Sequence, residues 1–289
     1  MQIGLFATFM SPLADRGMIR DFAQTAEGMG VESLWMGEHV VLFDKTEHPY
    51  PGAASGRLPV PAGGGLLDAV ATFGFLAGVT EKIRFGTGIA LISQRNPLYT
   101  AKEFATLDWL TNGRIDFGIG VGWCKEEVIA SGYSWPDRGS RSDEFLELVK
   151  ALWTQPVAQY QGKHFQVAAC RMDPKPIQTP HIPIIVGGHS KAGLRRAAKY
   201  GNGWYGFQMN PEQTLKVLDT LDELLAAEGR SRDDFQIVIT PSQVTPDTVA
   251  QFASVGVDRL VLHLGSQKPH AIEARLLEIQ PMLDIAKTL

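Results

Sequence analysis

The strongest constraint on this chain is an alternation repeated eight times. Short apolar, β-rich runs stand at 3–9 (IGLFATF), 33–39 (SLWMGEH), 83–92 (IRFGTGIALI), 114–120 (RIDFGIG), 182–188 (IPIIVGG), 203–207 (GWYGF), 236–240 (QIVIT) and 259–265 (RLVLHLG), with amphipathic helical segments between them. Several helical segments carry readable ends. Asn96 is a good N-cap, Pro97 suits the first turn of LYTAKEFATLDWL, and Asn112-Gly113 supplies a C-terminal stop. Within that helix Phe104, Trp109 and Leu110 read as core. Further helices begin at Ser190 and Pro211. Strand and helix alternating eight times over 289 residues predicts an α/β fold, a (β/α)8 barrel, with a doubly wound sheet as the fallback. No repeat or boundary divides the sequence, so residues 1–289 read as one barrel domain.

Two connections are longer than such folds usually need. Residues 40–65, rich in Pro and Gly, follow the second strand, and 155–183, with the hairpin pattern YQGKHFQVAACRM, precede the fifth. Long loops in a compact domain are more often functional than accidental, so both are expected to help cover a site, the first as a lid carrying Tyr50 and Arg57. In a barrel of this kind the site lies where the strands end and the βα loops gather. That rule nominates Ala7, Thr8, Glu38, His39, residues 88–93, 118–123 and 187–190, Gly206, Pro241 and His263.

Composition narrows the chemistry. A net charge of −4 and a pI near 6.0 leave no basic surplus for nucleic acid or an anionic membrane surface. No charged leader and no apolar run of about 20 residues appears, so the chain is expected to be soluble and cytoplasmic, without a membrane partner. Cys124 and Cys170 lie far apart and outside metal-ligand spacing, no H-E-x-x-H pair occurs, and no P-loop motif is present. No metal site is expected.

GIGVGW, residues 118–123, needs its own explanation. Its spacing approaches the dinucleotide fingerprint G-x-G-x-x-G, but Trp123 stands where the third glycine should allow close helix packing. Bare backbone at a strand end lets another group approach closely. A second glycine pair, Gly187-Gly188, ends a strand just before the helix at Ser190, whose open amides and positive dipole end suit a phosphate. Gly188-His189-Ser190 begins like a hydrolase elbow, but Ala192 breaks that pattern.

SLWMGEH, RFGTGIALISQRNPLYTAKEFATLDWLTNGRIDFGIGVGWCKEE and PKPIQTPHIPIIVGGHSKAGLRRAAKYGNGWYG, in that order, closely resemble the bacterial luciferase-like oxidoreductase superfamily, within it the F420-dependent members. The resemblance runs from Ile3 to about Leu264 and rests on several separated motifs. It implies a TIM barrel that binds the deazaflavin F420, or alternatively FMN, at the strand ends and passes a hydride between cofactor and a small-molecule substrate. It also implies a non-prolyl cis peptide behind the cofactor ring, matching Gly88-Ile89, and a homodimer formed through exterior helices.

Residue by residue, the resemblance makes His39 the catalytic imidazole, which suits proton transfer near neutral pH, with Glu38 beside it where many relatives have Asp. The plainer reading has His39 packing and Glu38 capping a loop. Gly88, Ile89, Gly120, Val121, Gly122, Gly187, Gly188, His189 and Ser190 are the expected cofactor contacts. Trp123, Tyr50, Arg57, Arg95 and His263 are expected on the substrate side, although Arg95 equally suits a surface carboxylate or the cofactor's acidic tail. A catalytic glutamate of sugar-phosphate dehydrogenase relatives falls at about Trp123 and is missing; Glu126 or Glu127 is offered as a substitute, although both read more readily as capping or solvent-facing on the following helical turn. An FMN-dependent monooxygenase fed by a separate reductase is the alternative function, and a non-catalytic flavin-binding scaffold is a third.

Overall fold

A computed structural model describes residues 1–263 and 272–289. Its first half contains β1 (Gln2–Phe6), α1 (Arg16–Met29), β2 (Ser33–Met36), α2 (Ala69–Ala77), β3 (Arg84–Thr87), β4 (Ala90–Leu91), α3 (Pro97–Leu110), β5 (Ile115–Gly120), α4 (Lys125–Ala130) and α5 (Arg138–Thr154). The rest contains β6 (Ala158–Gln161), β7 (Gln166–Cys170), β8 (Ile184–Gly187), α6 (Lys191–Tyr200), β9 (Gly203–Met209), α7 (Pro211–Ala227), β10 (Gln236–Pro241), α8 (Pro246–Ser254), β11 (Arg259–His263), α9 (Ile272–Glu278) and α10 (Gln280–Ala286). Strands β1, β2, β3, β5, β8, β9, β10 and β11 pair in parallel around a closed ring, β11 returning to β1 and β3 meeting β5. The fold is a TIM barrel, and β4 continues its third strand after an interruption at Gly88-Ile89. Leu264 and Gly265, the end of the eighth expected run, lie outside the described residues. No helix among them is long and apolar enough to cross a membrane.

The core has two layers. The larger lies between strands and helices, and a smaller one fills the barrel interior with Trp35, Ile185, Tyr205, Val238 and Val261, against which Phe6 and Ile89 pack. Trp35 stacks on Tyr205 at 5.4 Å and donates its indole N–H to Ser33 Oγ at 2.9 Å. The interior can hold this indole because neighbouring strands present glycine to it: a Cβ on Gly86 would sit 2.6 Å from the ring and one on Gly118 3.1 Å from it. Below it, Asp116 accepts from both Arg84 and Arg259, and Glu32 completes an ion-paired floor. Burial disfavours the Asp116 carboxylate, yet the two guanidinium groups hold its pKa below the usual range.

Caps place the helix starts at the upper rim. Asn96 accepts from the Leu98 and Tyr99 amides, Ser190 from Gly193, and Asn210 forms a capping box with Gln213. At the far end of α3, Asn112 and Gly113 take φ of 55° and 80°, the expected stop. One expectation for α3 fails: Phe104 is buried, but Trp109 and Leu110 are 55% and 62% exposed. Its inner face is made by Ala101, Phe104, Ala105 and Leu107, leaving Trp109 outside to donate to the Lys175 carbonyl. Both long connections occur where expected, but only one reaches the site. Strands β6 and β7 form a hairpin beside α5, where the Glu144 carboxylate accepts from the Lys163, His164 and Phe165 amides.

Candidate functional site

A cavity of about 620 Å³ opens at the C-terminal ends of the barrel strands, within the usual size range for a small-molecule site. Strand ends form its floor and inner wall, and the loop between β2 and α2 forms the outer wall through Tyr50, Pro51, Gly52, Leu58, Pro59 and Leu66. That loop is tied down at several points. Ser11 and Gly65 exchange hydrogen bonds, the Gln208 side chain donates to Gly52 O at 2.9 Å, the Glu47 amide donates to Glu126, and Lys125 pairs with Glu47. No residue of 155–183 is among the described residues lining the cavity, contrary to the expectation for that insertion.

His39 stands one turn of loop beyond β2, half-buried in the cavity wall. Its Nδ1 is 2.8 Å from Glu127 Oε2, and its Nε2 is 3.4 Å from the indole nitrogen of Trp123. Glu127 has no solvent-exposed side-chain surface. Its other oxygen accepts from the Val40 amide at 2.6 Å and Val41 at 3.4 Å. Burial pushes the Glu127 carboxyl upward, but the His39 hydrogen bond and charge, with the Val40 amide, hold it below the usual carboxylate range. An ionised Glu127 accepts from a proton-bearing Nδ1, in the arrangement that lets Nε2 accept the Trp123 indole N–H at 3.4 Å. The solvent-facing reading of Glu127 is therefore corrected. Its place in the sequence is four residues after Trp123, in the first turn of α4.

Glu38 and Arg95 answer each other. Glu38 Oε1 accepts from Arg95 Nε at 2.8 Å, and Oε2 accepts from the Leu91 amide at 2.6 Å. Arg95 also reaches Glu103 at 3.1 Å, and burial, which would lower its pKa, is outweighed by these carboxylates, which raise it. Glu38 lines the cavity with both oxygens engaged, so its geometry is that of a brace between β2 and β4 and not of a proton carrier. Arg95 and Arg57 do not line the cavity among the described residues, which corrects both substrate-side expectations. Arg95 is held by its carboxylates, and Arg57 is exposed on the outer loop.

The Gly88-Ile89 peptide is cis, at the position implied by the resemblance. Gly88 and Ile89 line the cavity, and the Ile89 side chain seats in a hollow left by two glycines: a Cβ on Gly187 would lie 3.1 Å from it, and one on Gly120 would overlap it. A Cβ on Gly118 would overlap the Thr87 carbonyl oxygen. The three glycines of GIGVG thus have separate causes. Gly118 and Gly120 make room for strand three and are not cavity contacts, whereas Gly122 lines the cavity with φ 78°, a conformation that favours glycine. The expected direct contact at Gly120 is corrected accordingly; Val121 does line the cavity.

At the opposite side, Gly188 has φ 118° and opens onto the start of α6. Ser190 caps the helix through Gly193, and the amides of Lys191 and Ala192 have the first-turn positions that lack helical acceptors. Arg196, missed by the sequence reading, lines the cavity from the next turn, anchored to Asp143 at 2.6 Å and Gly139 O at 3.1 Å. His189 is exposed at the rim, where partial desolvation lowers its pKa, and its Nε2 accepts the Phe207 amide at 3.0 Å. His263 ends β11, stacked on Phe6 at 5.6 Å with Nε2 3.5 Å from Thr8 Oγ1. Trp123 stands between His39 at 5.7 Å and Tyr50 at 5.5 Å.

The chain was compared with known proteins. An uncharacterized protein of Mycobacterium tuberculosis (strain ATCC 25618 / H37Rv) is 31% identical over 252 residues, covering 86% of this chain and 88% of that one. An F420-dependent glucose-6-phosphate dehydrogenase of Microbacterium testaceum is 30% identical over 220 residues, covering 74% of this chain and 60% of that one. Among solved structures, an F420-dependent secondary alcohol dehydrogenase in complex with an F420-acetone adduct shares the fold, with TM-score 0.77, 19% identity and coverage of 99% and 98%. Residues 1–255 match the model of one family, and the chain belongs to it: the luciferase-like monooxygenases.

Proposed function

We propose that this protein is an F420-dependent oxidoreductase that transfers a hydride between the cofactor and a small organic substrate. The observation that carries the reading is His39, fixed by buried Glu127 at 2.8 Å and facing the same cavity as the Gly88-Ile89 wall. The residues fit the cofactor. Gly88 and Ile89 offer a wall for a flat ring, while Gly188, Ser190, the first amides of α6 and Arg196 form a cradle for a phosphate. When bound, F420 supplies a ring carbon that accepts or donates hydride, which is chemistry no side chain provides.

The chain's own residues position and move the proton. His39 Nε2 takes the hydroxyl proton when an alcohol is oxidised and returns one when a carbonyl is reduced. Glu127 holds the imidazole in the tautomer that leaves Nε2 an acceptor, which a substrate hydroxyl takes over from the Trp123 indole N–H at 3.4 Å, and stabilises the imidazolium once formed. Glu38 keeps the end of β2 joined to Leu91, and so keeps the cofactor wall at a fixed distance from His39. A homodimer accompanies this reading through the family resemblance.

The family match to monooxygenases supports a second reading, in which FMN reduced by a separate reductase occupies the same cradle and oxygen is the co-substrate. Fluorescence titrations of the cofactor-free protein with F420 and with FMN, at identical salt and pH, decide between them. Tighter F420 binding supports hydride transfer. Tighter FMN binding replaces it with the monooxygenase, and binding of neither leaves a scaffold without turnover.

A further inference from the structure

The outer wall of the cavity differs in character from its inner wall. The loop between β2 and α2 contains Asp44, Lys45, Glu47, His48 and Arg57, yet none of these lines the cavity among the described residues. Glu47 and Lys125 pair with each other on the outside, and His48 stacks on Trp135 at 5.8 Å. Past Glu38 and His39, which line the cavity next to the end of β2, the loop turns inward Tyr50, Pro51, Gly52, Leu58, Pro59 and Leu66, joined by Met10 from the loop after β1. Arg95, the other cation near this side, is held by Glu38 and Glu103.

Two further observations point the same way. Val40, Val41, Leu42 and Phe43, directly after His39, are 66%, 46%, 43% and 40% exposed. Four consecutive exposed apolar side chains are unusual outside a binding surface. Within the apolar wall, the Tyr50 hydroxyl has no hydrogen-bond partner among the described residues, and burial raises its pKa, so it remains a neutral donor. Tyr50 and His39 flank the same indole, Trp123.

We propose that the outer half of the cavity selects an uncharged substrate with an apolar body and one oxygen function, the body against Leu58, Pro59, Leu66 and Met10 and the oxygen between His39 and Tyr50. The inference rests on the proposed function only in placing the cofactor on the inner wall. An anionic substrate would lose its hydration on entering this wall with no described cation to replace it, which is why the carboxylate should be rejected.

The test uses 2-acetylnaphthalene and 6-acetyl-2-naphthoate, which share a ketone and ring system and differ by one carboxylate. Binding to the full-length protein is measured by calorimetry with and without saturating cofactor, after the cofactor titration itself. The expected result is at least tenfold tighter binding of the neutral ketone. Leu58→Arg is expected to shrink that ratio at least tenfold while leaving cofactor affinity unchanged, and Tyr50→Phe to weaken the neutral ketone with the fold intact by circular dichroism. Equal or tighter binding of the carboxylate, no binding of either ketone, or a ratio unmoved by Leu58→Arg would overturn the proposal. Failure of both cofactors to bind overturns the proposed function instead, and the ketone comparison on the cofactor-free cavity still decides the selectivity.

Discussion

His39 Nδ1 lies 2.8 Å from Oε2 of Glu127, a carboxylate whose side chain solvent does not reach. The pair joins the loop after β2 to α4, across a sequence distance of 88 residues. Glu127→Gln keeps the shape but offers an amide that can donate to Nδ1, which permits the wrong tautomer. Turnover is expected to fall about 10²-fold or more, the scale of acid-base contributions, with cofactor affinity unchanged. Steady-state kinetics beside cofactor titration checks this; a loss confined to cofactor affinity would give Glu127 a structural role only.

Removing the Glu38 carboxylate leaves Arg95 with only part of its charge compensation and the Leu91 amide without its acceptor. Breaking a buried pair from one side typically costs about 3–5 kcal/mol, and Arg95 retains Glu103, so the lower end applies to Glu38→Ala. Chemical denaturation should show this loss, and Glu38→Gln should recover part of it by accepting from Leu91. Loss of turnover from Glu38→Gln at unchanged stability and cofactor affinity would restore the carboxylate to a catalytic role.

The glycines of strand five predict an order of severity. Gly118→Ala collides with backbone at Thr87, whereas Gly120→Ala meets the far end of the Ile89 side chain. Gly118→Ala should therefore be the more destabilising, and Ile89→Val should rescue Gly120→Ala but not Gly118→Ala. A double-mutant cycle measures the difference, with coupling of about 0.5–3 kcal/mol expected only for the contacting pair.

Gly188→Ala tests the phosphate cradle without filling it, because nothing lies within 4 Å of the added Cβ. The cost comes from φ 118° alone, about 1–3 kcal/mol for a side-chain-bearing residue in a disfavoured region. Relaxation of that strain should displace the amides of α6 and weaken cofactor binding by tenfold or more, since about 1.4 kcal/mol is tenfold in affinity. An unchanged dissociation constant would remove the cradle from the site.

Burial holds His181 neutral, lowering its pKa from the ordinary imidazole value. A group depressed in the folded state stabilises fully above its unfolded pKa, about 6.5, and loses that contribution as pH falls toward its folded value. Thermal stability should thus decline from about pH 6.5 downward. His181→Gln should flatten that segment of the curve; an unaltered slope would assign the decline to carboxylates.

The barrel was legible because its signals are local: strand runs, Asn96-Pro97 and Asn112-Gly113 each act within a few residues. His39, Gly188 and Ser190 were expected together, and line one cavity, because the barrel rule converts strand ends into one place. What escaped depended on contacts between distant segments. Nothing adjacent to Glu127 says that it faces His39, and nothing near Arg95 distinguishes a carboxylate 57 residues earlier from a ligand. Arg196 lay one helical turn beyond a recognised cap, where its charge reads as surface until the fold turns it inward. Trp109 and Leu110 were misplaced because apolar character was weighed without the helix's angular phase.

Ile89, seated against Gly120 and Gly187, touches the two strands that follow its own around the ring. The same residues that complete the circle of strands therefore shape the inner wall of the cavity. Assembly of the scaffold and assembly of the receptor are a single event, so the empty protein should emerge from folding already formed to receive its ligand, with no separate maturation step.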